Sequence, residues 1–190
     1  RDCLLSRGLG DVYKRQMVIA FPCTIGLAVL GEPIFLLLFP GTAQTAPMAA
    51  MMMYVGAFAV VFYAMSTLSN GLLQGINRMR IPVTNAAISL VAHVILLVIL
   101  MLFFHLKIYA VVIANMFFAL MMCVMNSMAI RKYSGYKQEV IKTFMIPAIS
   151  SVIMGIITWL FYHGCHALLK SNAISTILAI MIAAIVYACL

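Results

Sequence analysis

Apolar and polar positions along this chain come in blocks. Apolar runs of about twenty residues occupy roughly 17–39, 47–69, 82–104, 109–130, 144–163 and 173–190, and short polar turns separate them. A helix crosses the ~30 Å hydrocarbon core of a bilayer in about 20 residues. Soluble helices of that length keep a polar stripe toward water, and these runs have none. The pattern therefore predicts an all-α integral membrane protein with about six transmembrane helices. Met17–Phe39 is too long for the apolar region of a signal peptide and is followed by no small-residue cleavage site ahead of a soluble domain.

The two ends depart from the pattern. RDCLLSRGLGDVYKRQ, residues 1–16, is charged and lacks amphipathic period, and its character changes at Met17. DVYKRQ resembles translated adapter sequence, so residues 1–16 are set apart as a non-native segment and 17–190 as the polytopic membrane domain. Leu190 closes the chain inside an apolar run. Both ends predict a part of a larger protein.

Charge in the turns gives a direction. The turn at 40–46 carries no basic residue, 70–81 carries Arg78 and Arg80, and 105–108 carries Lys107. The turn at 131–143 carries Arg131, Lys132, Lys137 and Lys142 against Glu139, and 164–172 carries Lys170. Basic residues gather in alternate turns, and the positive-inside rule puts those turns in the cytoplasm. Aromatic placement agrees. Tyr54 and Tyr109 follow outer turns, Trp159 and Tyr162 precede one, and Tyr133 and Tyr136 flank the inner basic turn.

Composition reinforces the class: 66% of the 190 residues are hydrophobic and 8% charged, against roughly 25% charged in soluble domains. The net charge of +8 is spread over turns rather than gathered on one basic face, which argues against nucleic acid as a partner. Cys3, Cys23, Cys123, Cys165 and Cys189 are scattered without repeated spacing and read as apolar filler, not as a disulfide framework.

Helix-disturbing residues punctuate the spans. Pro22 and Pro33 bracket Gly26 and Gly31, while Pro82 and Pro147 open their helices. A proline inside a helix frees a carbonyl and kinks the chain, which a membrane tolerates where neighbours or water satisfy that oxygen. Such kinks serve either ordinary packing or a protein that alternates between two shapes.

Few side chains could carry chemistry. Glu32 is the one acid within a span, about 10 Å from the outer end of its helix at 1.5 Å per residue; it is either a contact for a cation or proton, or a carboxylate that reaches the outer interface beside Pro33. His93 lies mid-way along the third span, with Asn85 two turns earlier on the same face; it either bonds to a neighbouring helix or meets an anionic substrate. Asn115 and Asn126 are placed to tie helices together. Ser66, Thr67, Ser69, Asn70 and Gln74 lead into the inner turn, where Gly71 and Gly75 allow a tight bend before Arg78 and Arg80. Those arginines either anchor the turn to anionic lipid or meet a phosphate-bearing substrate, which a guanidinium grips with two bonds. His163, Cys165 and His166 lie close together, but no fourth ligand of suitable spacing accompanies them, so no metal is assigned. There is no glycine-rich phosphate loop, no G-x-S-x-G elbow and no carboxylate pair. No cofactor is implied, and the chain does not read as an enzyme.

FPCTIGLAVLGEPIFLLLFPG, GLLQGINRMRIPVTNAAISLVAHVILLVILM and IRKYSGYK with IKTFMIPAISSVIMGIITWLFYH resemble the C-terminal half of stage V sporulation protein B-like membrane proteins. These are polysaccharide-biosynthesis, oligosaccharide-flippase-type members of the multidrug/oligosaccharidyl-lipid/polysaccharide exporter superfamily, related to the lipid II flippase. The most specific stretch is Leu73–Pro82. The resemblance implies a transporter of about fourteen helices in two lobes, of which this chain supplies the last six, with an N-terminal lobe as its partner. It implies outward movement of undecaprenyl-linked saccharide or peptidoglycan precursors across the bacterial cytoplasmic membrane, in sporulation or in general cell-wall biogenesis. The family often has lysine where His93 stands and asparagine where Leu97 stands, so a substrate contact there does not carry over. The substrate path is thus expected among Arg78, Arg80, His93, Asn85, Gln74 and Glu32. A drug or cation antiporter of the same superfamily, or a structural membrane protein that moves nothing, are the alternatives.

Overall fold

The computed structural model describes residues 2–42, 44–134 and 141–189, and their side chains apart from those of 2–7, 9, 134, 141 and 142. Tyr136, Lys137 and Glu139 of the inner basic turn, and the side chains of Lys142 and Cys3, lie outside that set. The described residues form helices joined by short turns: α1 (Asp2–Val29), α2 (Gly31–Leu38), α3 (Ala46–Gly75), α4 (Arg80–Leu102), α5 (Ile108–Ser134), a π-helical turn (Ile141–Met145), α6 (Ile146–Leu169) and α7 (Asn172–Cys189). No β-strand occurs among them. Five helices are long and apolar enough to cross a membrane, and α1 with α2 makes a sixth, bent candidate. The chain is an all-α, multi-pass membrane protein.

Five of the expected spans fall on α3 to α7, with ends shifted by a few residues. The first differs. Instead of one helix over 17–39, α1 ends at Val29 and α2 leaves at 75°. The cause is Pro33, whose missing N–H leaves the Val29 carbonyl without a partner and whose ring crowds it. Upstream, α1 runs straight through Met17, and Tyr13 and Met17 are both fully buried. The change of character at Met17 is therefore no break in the fold. From Gly10 to Val29, α1 alone covers the ~30 Å of a bilayer core.

The long helices pack side by side in the order α4, α5, α3, α1, α6, α7, and α2 bridges α3 and α7. Successive crossings run in opposite directions. As a result Lys14, Arg15, Arg78, Arg80, Arg131 and Lys132 lie toward one end of the bundle, while Glu32, Lys107, His163, His166 and Lys170 lie toward the other. The core is thickest at the arginine end, where Tyr13, Met17, Ala20, Met65, Leu73, Cys123 and Ile130 pack between α1, α3 and α5. Apolar side chains such as Val83, Leu90, Val94, Ile95 and Val98 cover the outside of α4, which suits a face in lipid, because the backbone there is satisfied within the helix.

Proline and glycine set the finer geometry. Pro147 stands second in α6, and a π-helical turn precedes it, a wider winding that accommodates the Thr143 carbonyl which proline cannot bond. A Cβ on Gly155 would collide with the Cγ2 methyl of Ile25 and touch that of Val29 at 3.5 Å. The missing side chain is what lets α1 and α6 approach.

Candidate functional site

The arginine end is built by the way α3 stops. Asn77 takes a left-handed backbone, φ 58°, which asparagine tolerates better than most residues. Its N–H bonds to the carbonyl of Gln74 at 3.0 Å, and that of Arg78 reaches back to Leu73 at 2.9 Å. This is a Schellman closure. The expected bend at Gly71 and Gly75 is therefore a correction: the helix runs through Gly71 and ends at Gly75, and Asn77 turns the chain. Arg78 and Arg80 emerge directly behind it, the latter as the first residue of α4.

Both arginines are exposed and line an open cavity of about 300 Å³ with Asn77, Met79, Ile81 and Tyr133. The Arg78 guanidinium carbon lies 4.8 Å from the centre of the Tyr133 ring, and the Lys132 ammonium 5.7 Å from it. A cation held over a ring face is oriented by the ring's quadrupole. Two helix ends, α3–α4 and α5, thus bring guanidinium and ammonium groups to one mouth, and these groups form no ion pair among the described residues. Gln74 is exposed at the end of α3 and does not line this cavity.

Above the mouth, the polar residues serve the helices. Asn85 on α4 donates to Asn126 Oδ1 at 2.8 Å, and Asn126 Nδ2 donates to Asn70 Oδ1 at 2.7 Å. One fully buried amide on α5 therefore ties α3 and α4 together. Tyr13 shares a 2.7 Å hydrogen bond with Ser69 between α1 and α3. One turn beyond Asn85, the Ser89 hydroxyl lies 3.8 Å from Met125 Sδ. His93 Nδ1 is 2.9 Å from the Ala114 carbonyl, and its ring meets Phe118 edge-on at 5.9 Å. Asn85 and His93 do share a face, and that face is turned to α5. Asn115, by contrast, is exposed.

Glu32 is nowhere near these groups. The bend at Leu30 places it at the start of α2, exposed into a second cavity at the opposite end of the bundle. The six residues singled out from the sequence are therefore dispersed: Arg78 and Arg80 share a cavity, Asn85 and His93 hold α4 to α5, Gln74 lies beside the mouth, and Glu32 faces the other end. Asn126 ties helices together as expected, but sequence reasoning missed its partners Asn70 and Asn85 and the role of Tyr133 beneath Arg78.

No protein-family model matches the chain, and no solved structure matches it. Over 149 residues, 76% of the chain, it is 27% identical to the "Probable lipid II flippase MurJ" of Bdellovibrio bacteriovorus. The matched part is 28% of that protein, so the chain spans only about a quarter of this relative's length. What the chain is similar to is thus a flippase, a transporter rather than a catalyst.

Proposed function

We propose that this chain is part of a bacterial cell-membrane flippase that translocates a lipid-linked oligosaccharide or peptidoglycan precursor, and that the arginine end faces the cytoplasm. The similarity to a lipid II flippase over three quarters of the chain carries the reading. The geometry supports it in kind. A lipid-linked sugar phosphate needs cations where its head group enters, while its tail stays in lipid. Arg78 and Arg80 line a cavity of about 300 Å³ at one mouth, with Lys132 beside its Tyr133 wall, and a guanidinium can grip phosphate oxygens in pairs. The positive-inside rule orients that mouth inward. Flipping breaks no bond, so no residue is assigned to catalysis. The remaining helices of the transporter would come from a further lobe outside this chain, and residues 17–190 alone would insert without transporting.

The test is movement of a fluorescent undecaprenyl-linked saccharide across vesicles that contain the full-length protein, beside an Arg78→Ala/Arg80→Ala pair. Movement that is lost in the pair supports both the flippase and the entry mouth. Movement unchanged in the pair leaves the flippase and reduces the arginines to topology anchors. Sodium- or proton-driven dye efflux in place of saccharide movement transfers the function to an antiporter.

A further inference from the structure

The end of the bundle away from the arginines holds a larger cavity, about 600 Å³, bounded by α1, α2, α3, α6 and the start of α7. It exists because of the 75° bend, which swings α2 away from α1. Its frame is pinned: Asn172 Nδ2 donates to the Pro33 carbonyl at 3.0 Å, and the Tyr162 hydroxyl donates to Asn172 Oδ1 at 2.8 Å. One wall is a stripe of rings on α6. Trp159, Tyr162, His163 and His166 recur at helical spacing on one face and lock together, with ring centres 4.4 Å apart for Trp159–His163, 5.5 Å for Tyr162–His163 and 5.7 Å for Tyr162–His166. Tyr54 adds another ring from α3. Glu32 also lines this cavity, exposed, and its carboxylate takes no hydrogen bond and no ion pair among the described residues.

We propose that this cavity is a saccharide-binding site, with sugar rings laid against the α6 wall and hydroxyls donated to Glu32. A pyranose has an apolar C–H face and a rim of hydroxyl donors. The electron-rich face of an aromatic ring suits the former, and an unpartnered carboxylate, which only accepts, suits the latter. The volume lies within the ~300–1,000 Å³ of small-molecule sites. A metal ion fits less well, since no three His, Cys, Asp or Glu side chains among the described residues are grouped to hold one. A small ammonium ion wants rings that converge on one point, whereas these rings pack against one another along a wall. The site deepens the flippase reading, on which it rests for the source of the sugar: a head group that has crossed would be held here before release.

Trp159 is the only tryptophan of the chain, so indole fluorescence reports from this wall of the cavity. The chain in lipid nanodiscs would be titrated with N,N′-diacetylchitobiose, with maltose and with tetramethylammonium chloride. A saturable emission change is expected with at least one disaccharide, at roughly millimolar concentration, weakened at least tenfold by Glu32→Gln. Tyr54→Leu, a change on a different helix, should weaken it as well and covers the case in which Glu32→Gln does not fold. No saturable change with either sugar up to about 100 mM, a change undiminished in the variants, or saturation by tetramethylammonium alone overturns the proposal. Sugar-dependent emission without lipid-linked saccharide movement by the full-length protein would keep this site and sink the flippase reading. Movement without sugar-dependent emission would do the reverse.

Discussion

The Tyr187 hydroxyl donates to the Val18 carbonyl at 2.7 Å, the oxygen that Pro22, four residues on within α1, cannot bond. A proline in the middle of a membrane helix leaves a carbonyl that lipid cannot satisfy, and a neighbouring helix supplies the missing donor. The last helix of the chain is thereby tied to the first. Tyr187→Phe should lower stability by about 0.5–1.5 kcal/mol. In a Pro22→Ala background, where the substituted residue regains an N–H that can bond the same oxygen, the cost should shrink toward zero. Unfolding of the four proteins in mixed micelles of a mild detergent and dodecyl sulfate gives the coupling directly.

Asn126 joins two hydrogen bonds, so its loss should exceed that of either neighbour. Interhelical hydrogen bonds in membranes are worth about 0.6 kcal/mol on average and up to about 1.7. Asn126→Ala should therefore cost about 1–3 kcal/mol, against roughly half for Asn70→Ala or Asn85→Ala. The same unfolding measurement checks this. Equal costs for all three would mean that the amides do not act as a chain.

Gly155→Ala should push α1 from α6, because the new Cβ meets a β-branched side chain that cannot swing aside. Overpacking of this kind costs about 1–3 kcal/mol. Gly26→Ala, on the facing helix but with nothing within 4 Å, should be neutral or stabilising by up to about 1 kcal/mol, since it gains helix propensity. A paired thermal-shift comparison distinguishes close approach from a general sensitivity of glycines.

His93 holds α4 to α5 through the Ala114 carbonyl. His93→Leu should cost about 0.5–1.5 kcal/mol and leave transport per folded molecule of the full-length protein unchanged. Transport lost at full stability would instead place the imidazole in the substrate path.

Local and tertiary information divide cleanly along this chain. Bilayer physics acts on each twenty-residue window separately, so α3 to α7 and the basic character of alternate turns were legible in the order of residues. So were the prolines as sources of freed carbonyls. The partner of each freed oxygen was not, because Tyr187 is 169 positions from Val18 and only packing brings them together. The surroundings of Glu32 were hidden for the same reason. The break at Pro33 turns it into a cavity whose far wall, Trp159 to His166, is built more than a hundred residues later. His93 and Asn85 were readable as polar groups on one face of a membrane helix. What they meet was settled by which helix lies against that face. By itself, the sequence determined that the protein is a bundle of membrane helices and which turns are basic, since hydropathy and charge act locally. The tertiary structure decided which polar groups are spent on holding helices and which stay open to a ligand, because a hydrogen bond within a membrane depends on what the neighbouring helix offers at the same depth.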